Sequence, residues 1–206
     1  MERGWLTDAA DSEVEAPAAK TELDFPVEDW TVPQLKNFLH TLYSNQHILR
    51  RMMQSDALYI DRQMMERLDE AQTPADLEAR LADGLATGML RGCRVQDGRF
   101  TLETVLDEHD PTRWQVHATL LNAMLKHAKA AKRVFLKADA NPENEKYRGN
   151  SFLMRLGFGG PEHKPLRRVL LGHLNGYAAF RSAAGMQAHR EKYAQLRRKQ
   201  REEARP

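Results

Sequence analysis

Met89-Leu90-Arg91-Gly92-Cys93-Arg94-Val95, then Gln96-Asp97-Gly98, then Arg99-Phe100-Thr101-Leu102-Glu103-Thr104-Val105 is the stretch on which the fold turns. Two short β-prone runs flank an Asp-Gly pair. A tight turn of that kind needs positive φ angles, which makes Asp-Gly the strongest short-range hairpin signal. Ahead of this stretch the apolar residues recur with a helical period, and behind it they do so again. The expected fold is therefore mainly α: a multi-helix globular protein with one small β-hairpin, a winged-helix-like N-terminal half and a helical, basic C-terminal half.

Upstream, Thr73-Pro74 opens a helix with Leu77, Leu81 and Leu85 inside and Gly84 and Gly88 near its end. Leu58, Ile60, Met64, Met65 and Leu68 predict another, entered at Ser55 or Asp61. Ile48, Leu49, Met52 and Met53 predict one more, and Leu35, Phe38, Leu39 and Leu42 the first, capped at Thr31 with Pro33 in its first turn. The methionines suit a core at this spacing better than a partner groove. Residues 1–24 are rich in Ala, Asp and Glu, contain Pro17 and lack a sustained apolar period. They are expected to form a disordered acidic tail, with order beginning near Phe25-Pro26.

Downstream, Asp110-Pro111-Thr112 marks a break, so the expected units are the tail 1–24, a helical module 25–110 ending in the hairpin, a basic helical module 111–196 and a basic tail 197–206. A long helix from Trp114 carries Val116, Leu120, Leu121, Met124 and Leu125 on one side. It ends in Lys126, Lys129, Lys132 and Arg133, cations that its dipole favours there. Val134 to Leu136 reads as a short strand or a connector. Asn141-Pro142-Glu143 reads as cap, proline and first-turn acid of a helix holding Tyr147, Phe152, Leu153 and Leu156, which Gly157 stops. After Gly159-Gly160-Pro161 a helix through Leu166, Val169, Leu170 and Leu174 ends at Asn175-Gly176. Ser182 caps the last helix, where Met186, His189, Tyr193 and Leu196 form a narrow stripe. Beyond Leu196 no apolar face remains.

With 206 residues the chain can bury a real core. Its single cysteine, Cys93, allows no internal disulfide and no zinc knuckle, and fits a reducing compartment. The first residues lack the basic start and apolar run of a secretory signal, and no stretch has the length of a membrane span, so a cytoplasmic protein without membrane contact is expected. Neither a phosphate-binding glycine loop, a G-x-S-x-G elbow nor an H-E-x-x-H pair occurs; Gly157-Phe158-Gly159-Gly160 reads as helix cap plus turn. Asp107-Glu108-His109-Asp110 reads as a linker before Pro111 rather than a metal site or a base. Cys93, flanked by Arg91 and Arg94, reads as a small core residue rather than an activated thiol. No catalytic residue, metal ligand or cofactor is assigned.

A net charge of +2 conceals a polarity. Residues 126–206 hold 19 Lys/Arg against 7 Asp/Glu, or +12; the other 125 residues hold 12 against 22, or −10. Such asymmetry suits an anionic partner for the C-terminal half, or else two halves that neutralise each other. The cations concentrate on two predicted helices and their flanks: Lys146, Arg148 and Arg155, then His163, Lys164, Arg167 and Arg168, then His173 and Arg181. Lys164, Arg167 and Arg168 are three and four residues apart and share a helical face. Tyr147, Phe158 and Tyr177 are placed to stack on unpaired bases. The plain alternative is a solvated face with those aromatics in the core. The helix before the hairpin carries Asp76, Glu78 and Asp83 against Arg80, which opposes groove reading there.

Several stretches together resemble a family called virulence-related in anaerobic gut Firmicutes, often borne on conjugative or integrative elements. They are Leu23-Asp24-Phe25-Pro26, Asp29-Trp30-Thr31, Gln54-Ser55-Asp56-Ala57, Pro142-Glu143-Asn144-Glu145-Lys146-Tyr147, Leu153-Met154-Arg155-Leu156-Gly157 and Leu170 through Phe180. The resemblance implies an accessory protein of a mobile genetic element and brings no catalytic residues with it. The leading expectation is a non-enzymatic binding protein whose C-terminal half contacts nucleic acid or a nucleoprotein. A protein–protein adaptor, meeting its partner through the acidic half or the Met-rich helices, is the second. An enzyme of unfamiliar type, working through the His163–His173 region, is the third.

Overall fold

Helix α1 (Val32–Met52) is the spine of the computed structural model, which describes residues 20–105, 111–134 and 144–203. Its first turn holds Pro33, and the Gln34 side-chain oxygen reaches back to accept from the Thr31 N–H at 2.9 Å. One helix stands where two were expected. No Gly or Pro interrupts residues 34–52, and the buried polar groups at mid-length are satisfied inside the helix. Thr41 Oγ1 donates to the Asn37 carbonyl at 2.7 Å, and Asn45 Nδ2 to the Thr41 carbonyl at 2.8 Å.

The chain then runs through β2 (Tyr59–Ile60), α2 (Arg62–Asp69) and α3 (Pro74–Thr87). Asp61 caps α2 by accepting from the Gln63 N–H at 2.7 Å, and Thr73 caps α3 by accepting from the Asp76 N–H at 3.1 Å. Gly88, at φ +76°, ends α3. Strands β3 (Leu90–Arg91), β4 (Cys93–Gln96) and β5 (Arg99–Val105) follow. Gln96 pairs with Arg99 across Asp97 and Gly98, both at positive φ, so the expected hairpin is present. Strand β3 pairs antiparallel with β2, which ties the helix pair to the hairpin.

The N-terminal boundary needs correcting. Residues 20–24, expected in the acidic tail, belong to β1 (Lys20–Pro26), which covers the free edge of β5 along its length. Leu23 and Phe25 are 4% and 8% exposed. They continue two cross-strand rows, Leu23–Leu102–Cys93 and Phe25–Phe100–Val95, on the sheet's inner face. Glu22 and Asp24 alternate to the outer face, so the acidic composition conceals a half-buried strand. Phe100 meets Phe38 of α1 edge-on at 4.7 Å, and Trp30 meets Phe38 at 6.1 Å.

The remaining helices are α4 (Pro111–Ala130), α5 (Glu145–Arg155), α6 (Lys164–Gly172) after a 3-10 turn (Pro161–His163), and α7 (Ala183–Glu203). The fold is thus mainly helical with small sheets. Helix α4 packs along α1, whose Gln34 and Asn37 amides donate to the carbonyls of Lys129 and Ala131 at 3.2 and 2.7 Å. Those bonds satisfy acceptors that the end of α4 leaves open. Leu120, Leu121 and Met124 of α4, Phe152 and Leu153 of α5, and Leu170 and Leu171 of α6 join the core begun by α1 and the sheet. Asp110-Pro111 therefore divides the chain without dividing the core.

Two further expectations shift. Helix α5 begins at Glu145 with Asn144 at its N-cap, and Asn141-Pro142-Glu143 lies outside the described residues, as do Asp107–Asp110 and Phe135-Leu136. Residues 197–203, expected as a tail, continue α7 without a break. Arg, Lys, Gln and Glu all favour helix, and nothing between Met186 and Glu203 stops one.

Cys93 lies in the core, where burial pushes its thiol up to about 12, with the Glu103 carboxylate adding to the shift. At pH 8 the thiolate fraction is then on the order of 10⁻⁴, against about a quarter for a free thiol. A thiol-reactive disulfide reagent should leave the native chain unmodified over minutes and label it only as fast as it opens. Labelling within seconds, without denaturant, would contradict this burial. The linkage has a definite sign. The folded chain keeps a proton that the unfolded chain releases, so this contribution is present below about pH 8.5 and is lost as pH rises toward 12.

Candidate nucleic-acid interface

The eight cationic positions singled out by sequence divide into two groups. Arg148 on α5 is half-buried, and its Nη2 donates to the Ser44 carbonyl of α1 at 2.7 Å. Arg167 on α6 is half-buried too; its Nη1 donates to the Phe158 carbonyl and, at 2.9 Å, to the Gly160 carbonyl. That guanidinium holds the Gly-Gly-Pro turn against α6, so it does not share the solvent-facing side expected with Lys164 and Arg168. His163 is half-buried, edge-on to the Phe158 ring at 5.2 Å, with its Nε2 3.6 Å from a Glu162 carboxylate oxygen. Lys146, also half-buried, sits in the first turn of α5, where its N–H donates to the Asn175 carbonyl at 2.8 Å. Arg155, Lys164, Arg168 and Arg181 are exposed.

The ion pairs show how the two charged segments relate. Among the described residues, carboxylates of the first segment pair with cations of that same segment. Glu22 pairs with Arg94 at 2.6 Å, Asp56 with Arg50 at 2.5 Å, Asp83 with Arg67 at 2.6 Å, and both Glu70 and Asp76 with Arg80 at 3.0 and 2.8 Å. These contacts hold the Glu22 and Asp76 carboxyls below their usual range, chiefly through the arginine hydrogen bonds. Arg51–Glu145, at 3.2 Å, does join the segments, but with the cation on the acidic side and the carboxylate on the basic side. Mutual neutralisation is therefore not what these pairs describe.

Of the aromatics expected to stack on bases, Phe158 is buried and Tyr147 half-buried, while Tyr177 is 44% exposed. Tyr177 stands in the loop between α6 and α7, which is tied down at several points. Asn144 Oδ1 accepts from its N–H at 3.0 Å, Glu145 Oε2 accepts from the Asn175 N–H at 3.1 Å, and Asn144 Nδ2 donates to the Phe180 carbonyl. Arg51 donates to the His173 carbonyl at 2.8 Å, and the Gln54 amide contacts the His173 ring. Three of the stretches behind the family resemblance thus converge: Gln54, Asn144-Glu145 and His173 to Phe180. Sequence reasoning did not foresee that meeting, since the three lie some 90 and 30 residues apart in the chain.

His163 and His173 stand at opposite ends of α6, about 15 Å apart along its axis at 1.5 Å per residue, and do not converge on one site. A separate open cleft of about 550 Å³, which sequence reasoning missed, is lined by Pro33, Lys36, Asn37, His40, Asp69, Arg133 and Val134. In it His40 Nε2 lies 2.8 Å from Asp69 Oδ1, and Lys36 donates to the Asp69 carbonyl at 2.7 Å. None of the eight positions lines this cleft. No known protein family, curated protein or solved structure matches the chain.

Proposed function

We propose that this chain is a non-enzymatic accessory protein that binds nucleic acid, alone or within a nucleoprotein, through its C-terminal helices. In keeping with the family resemblance, a mobile genetic element is its setting. The observation carrying this reading is the ion-pair pattern: among the described residues, the paired carboxylates of the first segment, such as Glu22, Asp76 and Asp83, are held by cations of that segment, while Arg155, Lys164, Arg168 and Arg181 face solvent. Exposed cations, with Arg181 four residues from the exposed Tyr177, suit a phosphate backbone with unpaired bases.

The order α1, β2, α2, α3, then the hairpin, with β2 paired to β3, supports a winged-helix-like N-terminal part. Its α3 would be the groove reader, yet Asp76 and Asp83 on that helix are held by Arg80 and Arg67, and the arginines that would meet phosphates are neutralised. That part serves as scaffold, and β1 on the outer edge of the wing stiffens it.

Titration of a labelled 20-nucleotide single strand by fluorescence anisotropy, between 50 and 200 mM salt, tests the reading. Arg155→Ala, Lys164→Ala and Arg168→Ala combined should lower the log–log salt slope by about 2, since each single-strand phosphate contact contributes about 0.7. Arg167 is left intact, because removing it would disturb the turn it holds. Arg197→Ala, Arg198→Ala and Lys199→Ala combined is the comparison. Binding lost in that variant alone would place the contact on α7, and no binding at 50 mM salt by any form would end the nucleic-acid reading.

A further inference from the structure

Helix α7 is a long element with almost nothing against it. It is rooted at its start: Ser182 Oγ accepts from the Gly185 N–H at 3.2 Å, and the half-buried Phe180 ring lies 5.0 Å from the His189 ring. From Gln187 to Gln200 every residue is exposed. At 1.5 Å per residue the 21-residue helix is about 30 Å long. A helix without a packed face is marginal in water unless something covers it.

Its apolar positions are not scattered. Met186, His189, Tyr193 and Leu196 follow spacings of three, four and three, the a and d positions of a heptad. Tyr193 and Leu196 are 49% and 43% exposed, and the His189 and Tyr193 rings lie 4.4 Å apart. A stripe limited to a and d is the seam of a coiled coil. A membrane-lying helix needs a much broader apolar face, because its binding scales with buried apolar area. Phosphate contact alone needs no seam at all. The positions flanking this one, e and g, are Arg190, Lys192, Arg197 and Lys199. A second copy of α7 would set these cations against their own kind, in parallel or antiparallel pairing.

We propose that α7 docks, through the Met186–His189–Tyr193–Leu196 seam, against an acidic amphipathic helix of a different protein, whose own flanking positions carry Glu or Asp. The seam supplies the buried area, and the basic flanks select the partner and reject self-pairing. The seam occupies the eleven residues from Met186 to Leu196 of α7. This docking is independent of the nucleic-acid reading, which places its contacts on α5, α6 and the loop that follows.

Three synthetic 21-residue peptides probe the full chain by anisotropy and by gain of helical circular dichroism. One has Leu at a and d with Glu at e and g; one has the same seam with Lys at e and g; one has Ser at a and d with Glu at e and g. The first should bind at least tenfold more tightly than either of the others. Tyr193→Ala with Leu196→Ala should remove that preference, whereas Gln195→Ala on the far side should not. Equal binding of the Ser-seam peptide would overturn the proposal, leaving charge attraction alone. So would a sedimenting dimer that the double variant returns to monomer, since the occupant would then be a second copy. Loss in the double variant of single-strand DNA binding, or of binding to phosphatidylserine vesicles, with no effect on the Leu-seam peptide, would overturn it equally. Because Tyr193 and Leu196 are exposed, the double variant should keep the wild-type unfolding midpoint, which separates lost docking from lost folding.

Discussion

A chain beginning at Val27 should be less stable than one beginning at Lys20 by about 4–6 kcal/mol. Two inward side chains, Leu23 and Phe25, are lost with β1, and each is worth about 1.5–3 kcal/mol when buried. The strand also covers Phe100 and Leu102, among the most deeply buried apolar residues, which would gain exposure at the new edge. Domains of this size have about 5–15 kcal/mol in hand, so the shortened chain would keep little of it. Urea unfolding followed by tryptophan fluorescence measures the difference. Leu23→Ala with Phe25→Ala in the longer chain should reproduce most of the loss, since the inner face carries it. If the two chains unfolded at the same urea concentration, β1 would be a strand in contact with the sheet without contributing to it.

The same strand shows where the sequence could and could not be read. Leu23, Phe25 and Val27 alternate with Glu22, Asp24 and Pro26, which is a half-buried strand in miniature. Three alternations among Ala, Glu and Asp are outweighed by composition, and the partner strand is nearly 80 residues away, beyond any local window. Asp97-Gly98, Thr73-Pro74 and Gly88 were legible because each acts locally: a turn or cap depends on its immediate neighbours, whereas the sequence left the start of α2 open between Ser55 and Asp61. In the hydropathy pattern α1 divides in two, and buried Thr41 and Asn45 lie at the division. Their bonds to carbonyls four residues back are invisible in a hydropathy pattern.

The site was legible to a similar depth. Charge polarity and the stripe on α7 both stand in the sequence. What the sequence withholds is which cations are already engaged. Arg148 and Arg167 look like Arg155 and Arg168 in a list of residues, yet the first two end on main-chain carbonyls, those of Ser44 in α1 and of Phe158 and Gly160 at the Gly-Gly-Pro turn. Arginine serves such positions well, because one planar group reaches two acceptors while its stem stays in apolar contact. Demand for such a donor is set by tertiary packing, so the residue's own position in the sequence does not announce it.

Packing of the same kind should decide the outcome at two glycines with matching backbone. Gly88 and Gly92 sit at φ +76° and +74°, so alanine at either meets the left-handed penalty of about 1–2 kcal/mol. At Gly88 a Cβ would have nothing within 4 Å, and the cost stops there. At Gly92 it would lie 2.4 Å from the Ala57 carbonyl oxygen and 2.8 Å from the Leu58 nitrogen. Main-chain atoms cannot rotate aside as a side chain would, so β3 and the approach to β2 must separate, adding about 1–3 kcal/mol. The Gly92 carbonyl also accepts from the Glu103 N–H at 2.8 Å, which couples the displacement into β5. Gly92→Ala should therefore destabilise by about 2–5 kcal/mol and Gly88→Ala by about 1–2, compared by urea unfolding of the same parent chain. Because the backbone term is common to both, their difference isolates the close approach of β3 to the segment before β2. Equal losses would mean that Gly92 is there for its φ alone, and that the junction between the two sheets is looser than a 2.4 Å approach requires.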